Sequence, residues 1–153
     1  MADRVITLSI NGAERQIDND PRQLLVDVVR EHLDLKATHI GCLSGDCGAC
    51  SVIVDGEVRK SCLSLAVSME GAAVRTLDGW VDDVLVRLQS AFISTNAFQC
   101  GFCTSGMLMA AYDLLRRNPC PDTLEIRKAI SGNLCRCTGY EPIIQAIQQA
   151  IEK

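Results

Sequence analysis

The chain has 153 residues, a formal net charge of −4 and 48% hydrophobic residues, which allows one medium domain or two small ones with a real core. The acidic balance, the lack of a long basic run and an aromatic content of 4% argue against nucleic acid as a partner, because phosphates need clustered cations and bases need aromatic platforms. Nine cysteines without a signal peptide or a membrane-length apolar run predict a reducing, cytoplasmic setting and metal or redox chemistry.

The first 78 residues predict a sheet with one helix. Apolar residues at alternate positions predict strands at residues 5–10, 13–17, 51–54, from 58 onward and 73–77. Asn11-Gly12 and Asp55-Gly56 are typical hairpin turns. Asp20-Pro21 predicts the start of a helix, with Asp20 as its N-cap. The apolar positions of this helix are Leu24, Leu25, Val28, Val29 and Leu33. The order of elements indicates an α+β fold.

Between this helix and the third strand lies the first cysteine set, which consists of Cys42, Cys47, Cys50 and Cys62. The first three follow the pattern C-x4-C-x2-C of plant-type [2Fe-2S] ferredoxins. Interleaved glycines let the loop wrap closely around an anionic cluster, because glycine tolerates positive φ. A zinc site is the alternative, but four-cysteine zinc sites usually have two separated C-x2-C pairs. We therefore predict an iron–sulfur cluster at this set.

Asp78-Gly79 is the predicted boundary between a domain of residues 1–78 and a domain of residues 79–153. Beyond it the apolar period changes from 2 to 3.6, which indicates four helices. Their inward residues are Val81, Val84, Leu85, Leu88 and Phe92 in the first; Met107, Leu108, Ala111, Leu114 and Leu115 in the second; Ile126 and Ile130 in the third; and Ile143, Ile144, Ile147 and Ile151 in the fourth. The second helix is predicted at residues 104–117, the third opens on an Asp122/Glu125 capping box, and the fourth opens at Pro142. Helices this short need to pack together to be stable.

The second cysteine set consists of Cys100, Cys103, Cys135 and Cys137, spaced as C-x2-C and C-x-C. Each pair is predicted at the start of a helix, where partial positive charge and free N–H groups suit an anionic cluster. Taken alone, this set is also compatible with zinc or with a redox disulfide. Beside the first set, electron transfer between two clusters is the simplest interpretation.

Three segments together resemble the small iron–sulfur subunit of the molybdenum hydroxylases, the family of xanthine dehydrogenase, aldehyde oxidoreductase and carbon monoxide dehydrogenase. They are the loop from Gly41 to Cys50, Gln99-Cys-Gly-Phe-Cys103, and Gly132-Asn-Leu-Cys-Arg-Cys-Thr-Gly-Tyr140. The resemblance covers nearly the whole chain. It implies an N-terminal β-grasp ferredoxin domain, a C-terminal four-helix bundle and two [2Fe-2S] clusters that pass electrons from a molybdenum cofactor toward FAD or another acceptor.

The resemblance also assigns roles to residues. It implies that the second cysteine set holds the cluster nearest molybdenum and the first set the cluster nearer the flavin. Gln99 matches the glutamine that hydrogen-bonds the pterin, with Cys137 beside it, because an amide offers a donor and an acceptor. The implied partners are a large molybdopterin subunit and a medium FAD subunit, in an assembly that extends to a dimer of heterotrimers. No residue here is expected to be catalytic, so the chain alone should have no turnover.

Five residues depart from the family pattern or match no motif. Ser105 stands where proline is common and Ser51 where threonine is frequent, and both changes are expected to have little effect. Cys120 is expected to be a spare thiol, and His32 and His39 are expected to be structural. Two other functions stay open: a free two-cluster electron carrier without fixed partners, and a zinc-stabilised interaction module.

Overall fold

The computed structural model describes residues 4–151, and its first half is a mixed five-stranded sheet. The strands are β1 (Arg4–Ile10), β2 (Ala13–Asn19), β3 (Ser51–Val54), β4 (Glu57–Lys60) and β5 (Ala73–Arg75). Their order across the sheet is β2-β1-β5-β3-β4. β1 and β5 run parallel, and the other neighbouring pairs run antiparallel. All the predicted strands are confirmed, although β2 extends to Asn19 and β5 ends at Arg75. Residues 1–3 and 152–153, at the outer limits of the two predicted domains, lie outside the described range.

Both hairpins turn where the sequence predicts. The φ angles are 51° and 88° at Asn11 and Gly12, and 50° and 89° at Asp55 and Gly56. Two successive positive φ angles are those of a type I′ turn, whose twist matches that of the flanking strands. The turns therefore fix the register of β1 with β2 and of β3 with β4.

The helix after β2 begins later than predicted. It consists of α1 (Leu25–Asp27) and a π-helical turn (Val28–His32). Asp20 is not its N-cap, because its Oδ1 accepts a hydrogen bond at 2.9 Å from the backbone N–H two residues on and closes a turn. Leu24 stays extended because it pairs with Leu65 in an isolated β-bridge. A long-range backbone contact thus delays the start of this helix.

The second half contains four helices: α2 (Asp83–Ser94), α3 (Thr104–Arg117), α4 (Thr123–Ile130) and α5 (Glu141–Ala150). Asp82 caps α2 by accepting a hydrogen bond from Val84 N at 2.9 Å. Asp122 and Glu125 form the predicted capping box of α4. The expectation that Val81 lies on the apolar face of α2 is wrong, because Val81 precedes the N-cap and is 79% exposed.

Two hydrophobic cores meet at β3. Val52 and Val54 belong to the core that the sheet shares with α1, whereas Ile53 belongs to the core of the helices. β3 is therefore buried on both faces, which explains its uninterrupted apolar sequence. On α3, the buried carboxylate of Asp113 accepts a hydrogen bond from Val58 N at 3.4 Å. The mixed sheet followed by packed helices confirms an α+β fold with a ferredoxin-like part and a helical part.

Among the helices of residues 4–151, none has the length and hydropathy needed to span a lipid bilayer.

Candidate metal centres

The first cysteine set occupies two segments that the β3–β4 hairpin brings together. Cys42, Cys47 and Cys50 lie on the loop before β3, and Cys62 lies on the 3-10 turn Ser61–Leu63 after β4. Because the hairpin is antiparallel, the residue before β3 and the residues after β4 are neighbours. The backbone N–H of Ser61 accordingly donates to Cys50 O at 3.3 Å. Cys42 is exposed, Cys47 is half-buried, and Cys50 and Cys62 are buried.

The four thiols of this set differ in how readily they ionise. Cys42 Sγ accepts hydrogen bonds from the backbone N–H groups of Ser44 and Cys47, both at 3.4 Å. The side chain of Ser44, followed by these backbone donors, lowers the pKa of Cys42 to about 6 by hydrogen bonding to its sulfur. Burial raises the pKa of Cys47, and burial together with the neighbouring Cys50 thiol raises the pKa of Cys62 to about 11. A bound metal supplies the positive charge that makes ionisation of all four thiols favourable.

The second cysteine set lies where α3 begins and in the loop from α4 to α5. Cys103 is the N-cap residue of α3, as predicted for this pair. The other pair, Cys135 and Cys137, precedes α5 as predicted and is separated from it by a short turn whose last residue, Tyr140, has a φ of 71°. The loop still brings the two pairs together, since the Sγ atoms of Cys100 and Cys137 are 3.7 Å apart.

Thr138 and Tyr140 hold the thiol of Cys135 in place. Thr138 Oγ1 lies 3.1 Å from Cys135 Sγ, and the Thr138 N–H donates to the same sulfur at 3.5 Å. Tyr140 Oη accepts a hydrogen bond from Cys135 N at 2.9 Å. Burial opposes ionisation of Cys135, but the bonds from Thr138 outweigh it and lower the pKa of this thiol. Burial and the neighbouring Cys135 raise the pKa of Cys103 to about 12.

Both sets fit a dinuclear cluster. Within each set the thiols lie close enough to shift one another's pKa, and the main partners are Cys42 with Cys47, Cys50 with Cys62, Cys100 with Cys137, and Cys103 with Cys135. Two thiolates at each iron is the arrangement of a [2Fe-2S] cluster. Within residues 4–151, no three or more His, Cys, Asp or Glu side chains gather as they would around a single ion.

The surroundings of the second set also suit an anionic group. The buried hydroxyl oxygens of Thr104 and Ser105, which follow Cys103 directly, have no hydrogen-bond partner among the described residues. Buried hydroxyls are normally paired, so two unpaired ones mark a place where an acceptor belongs. Both lie in the first turn of α3, where the partial positive charge of the helix adds to the attraction.

Gln99 lies beside Cys137, as its predicted role requires. Its Nε2 donates to Cys137 O at 3.0 Å. Gln99, Cys100 and Cys137 are all exposed. Two large apolar side chains close to these residues in the sequence, Phe98 and Leu134, are 40% and 56% exposed. The contact of Gln99 with a pterin stays a prediction.

Cys120, His32 and His39 lie outside both cysteine sets, in agreement with the sequence analysis. Cys120 is an exposed free thiol. His32 Nε2 lies 3.0 Å from the Gln23 amide nitrogen. His39 Nδ1 lies 2.8 Å from Phe102 O, and the two rings stack with their centroids 4.7 Å apart. Both histidines thus make structural contacts.

Lys60 and Asn133, to which the sequence analysis assigns no role, join the cysteine loops. Lys60 Nζ donates to Gly45 O and, at 2.9 Å, to Gly132 O. Asn133 Nδ2 donates to Gly48 O at 3.0 Å. Lysine and asparagine are ordinarily surface residues, and only Asn133 falls within a sequence motif, that of residues 132–140.

Comparisons with known proteins agree with this arrangement. Residues 8–76 match the family described as 2Fe-2S iron-sulfur cluster binding domain, and residues 72–148 match the [2Fe-2S] binding domain family. Over 150 residues the chain is 45% identical to the nicotine 6-hydroxylase small subunit of Paenarthrobacter nicotinovorans, with 97% of this chain and 91% of that protein covered. Over 152 residues it is 47% identical to the caffeine dehydrogenase subunit gamma of Pseudomonas sp. strain CBB1, with the same coverage.

The solved structure of quinoline 2-oxidoreductase from Pseudomonas putida 86 contains a chain of the same fold. The two chains superimpose with a TM-score of 0.92 at 44% sequence identity, covering 99% of this chain and 94% of that one. The similarity therefore extends over both halves of the molecule.

Proposed function

Because the chain belongs to the small iron–sulfur subunits of the molybdenum hydroxylases, the family of xanthine dehydrogenase and aldehyde oxidoreductase, we propose that it carries electrons from a molybdenum cofactor in a partner subunit toward FAD or another acceptor. It is a subunit of an oxidoreductase, and its cofactors are two [2Fe-2S] clusters. Substrate is oxidised at the molybdenum centre of the partner, so this chain contributes electron transfer and no bond-making step.

The observation that carries the proposal is the pairing of eight thiols in two sets. We assign the second set, Cys100, Cys103, Cys135 and Cys137, to the cluster nearer molybdenum. We assign the first set, Cys42, Cys47, Cys50 and Cys62, to the cluster nearer the acceptor. When bound, each cluster gains and loses one electron at a time.

The chain's own residues bind and tune these centres. The N–H donors at Cys42 and the Thr138 donors at Cys135 stabilise negative charge on sulfur and thereby favour reduction. Burial of Cys50 and Cys62 keeps water from one side of the first centre, whereas the exposed Cys42 leaves its other side open toward an acceptor.

The exposed end of the second centre is the proposed contact with the large subunit. Gln99 lies against the peptide of Cys137, and its amide oxygen is left to accept from a pterin edge. Exposed apolar side chains such as Phe98 and Leu134 suit burial in a subunit interface. Association with the large subunit would exclude water from this exposed end, through which the electrons would pass.

The proposal also covers the fold of each half of the chain, the boundary between the halves and the composition of the complex. The strand order with parallel β1 and β5 supports a β-grasp domain. The contacts of α2 with α3 and α5, and of α4 with the same two helices, support a four-helix bundle. Two separate cores support a boundary between residues 1–78 and 79–153. The proposed assembly contains a large molybdopterin subunit and a medium FAD subunit, is cytoplasmic, and extends to a dimer of heterotrimers.

The test is purification of the complex through a tag on this chain. Iron and acid-labile sulfide should each come to about four per chain, as two [2Fe-2S] clusters require, and a molybdenum-containing subunit should copurify. The complex should then be mixed anaerobically with nicotine, caffeine, nicotinate and an aldehyde, the substrate types named in relatives. A substrate of the complex bleaches the visible absorption of the clusters.

Three results would contradict the proposal. A colourless, zinc-replete chain would point to a zinc-stabilised interaction module. Two clusters in a chain that never associates with a partner would point to a free electron carrier. Hydroxylation of a substrate by the purified single chain would mean that the catalytic group lies in this subunit.

A further inference from the structure

Lys60 lies at the end of β4, and its ammonium bridges the two cysteine loops. Its Nζ donates to Gly45 O and, at 2.9 Å, to Gly132 O. Gly45 lies between Cys42 and Cys47 of the first set, and Gly132 shortly precedes the Cys135–Cys137 pair of the second. One partly buried cation therefore touches loops that belong to both candidate centres.

The two loops also meet directly beside this bridge. Leu134 N donates to Cys47 O at 2.9 Å, and Asn133 Nδ2 donates to Gly48 O at 3.0 Å. The first of these bonds joins the backbone of Cys47, in the first set, to the backbone of the residue that precedes Cys135, in the second set. The segment 45–48, the segment 132–134 and Lys60 form what is here called the inter-loop seam.

Among residues 4–151, no carboxylate forms an ion pair with Lys60. Both of its hydrogen bonds go to backbone carbonyl oxygens, whereas Arg59, its neighbour on β4, pairs with the carboxylate of Glu57 at 3.6 Å. A positive charge near a redox centre favours the reduced form, which carries one more negative charge. The effect is large where partial burial limits screening by water and salt.

We propose that Lys60 is a positioning residue for electron transfer, and that it acts in two ways. Its two hydrogen bonds hold the loops of the first and second centres in register across the inter-loop seam, and its positive charge raises the reduction potentials of the centres. This inference rests on the proposed function, because it assumes that both cysteine sets bind clusters. It adds a residue that is neither a ligand nor a contact of the pterin.

The experiment compares Lys60→Met, Lys60→Arg and Arg59→Met in the assembled complex. Lys60→Met keeps the length of the side chain and removes its charge, Lys60→Arg keeps the charge, and Arg59→Met removes the same charge one residue away, outside the seam. Reduction of each cluster is followed by EPR during a redox titration. Hydrogen exchange of the peptide that contains Leu134 is measured in the same samples.

In Lys60→Met the equilibrium constant for reduction of at least one cluster should fall about tenfold. This corresponds to a fall in the reduction potential of about 59 mV for a one-electron couple. Exchange in the peptide that contains Leu134 should become faster. Lys60→Arg should restore both quantities, and Arg59→Met should leave both unchanged. A defect of assembly is read from the iron content of the same variants: loss of iron in Lys60→Met that Lys60→Arg recovers supports the bridge.

The inference is overturned if Lys60→Met retains wild-type potentials and exchange, if Arg59→Met shifts them equally, or if Lys60→Arg is as defective as Lys60→Met. These outcomes differ from failure of the proposed function, which would appear as a wild-type complex without two clusters.

Discussion

Gly106 offers a substitution whose effect on stability can be reasoned from the structure. It lies in the first turn of α3, where alanine would ordinarily gain up to about 1 kcal/mol over glycine from helix propensity. Here a Cβ would lie 3.0 Å from the carbonyl carbon of Gly48 and 3.1 Å from Ala49 Cα, and closer still to the Gly48 oxygen. These are backbone atoms, which cannot turn away as a side chain can. Overpacking of this kind typically costs about 1–3 kcal/mol. The net effect of alanine at this position is therefore destabilising, although its helix propensity is higher.

We therefore expect Gly106→Ala to lower stability by about 1–2 kcal/mol, since the overpacking cost exceeds the propensity gain. That corresponds to a fall in Tm of about 2–8 °C for a chain of this size. The matched control is Gly132→Ala, whose Cβ would meet the flexible end of Lys60 no closer than 3.4 Å. Thermal unfolding of both variants and the wild type at one scan rate tests the prediction. A Gly106→Ala variant as stable as the wild type, or more so, would refute the reasoning.

Three further predictions concern the candidate centres. Two distinguishable reduced-state EPR signals are expected, because the first centre is partly buried in a loop and the second lies at the start of a helix, and hydrogen bonding and exposure set the potential. A single signal that survives loss of either cysteine set would contradict this. Gln99→Ala should retain normal iron but slow the reduction of the clusters by substrate or lower the molybdenum content, because an unpaired buried polar group on the cofactor costs about 1–3 kcal/mol. Unchanged molybdenum and reduction rate would show that the contact is unimportant. Cys137→Ser should lose iron from the second centre because a hydroxyl is a poor ligand in place of a thiolate. Cys120→Ser is the control and should keep its full iron content, since the Cys120 thiol is exposed and belongs to neither set.

The features that the sequence predicts correctly depend on residues close together in the chain. The Asn11-Gly12 turn needs only two residues that tolerate positive φ. The capping box of α4 needs Asp122 and Glu125 at their fixed spacing. The cysteine loop before β3 is identified by C-x4-C-x2-C alone. Each of these patterns is recognisable from residues within ten positions of one another, so identifying it needs no tertiary information.

The features that the sequence misses depend on remote contacts. The hydrogen bond of Lys60 to Gly132 O spans 72 residues, and that of Asn133 to Gly48 O spans 85. Local sequence cannot distinguish these side chains from ordinary surface ones. The late start of α1 has the same cause, since Leu24 is held extended by its bridge to a residue far along the chain. Local helix signals at residue 20 are outweighed by that pairing.

The packing of α3 explains how one small chain fixes two centres relative to each other. At its start, α3 carries Cys103 and presses Gly106 against the backbone of Gly48, beside the first cysteine set. About 10 Å further along the helix, at a rise of 1.5 Å per residue, Asp113 accepts a hydrogen bond from Val58 of β4. A rotation of the helical half about either contact would break the other. Packing of α3 against the sheet and the inter-loop seam therefore act together to set the separation of the two centres.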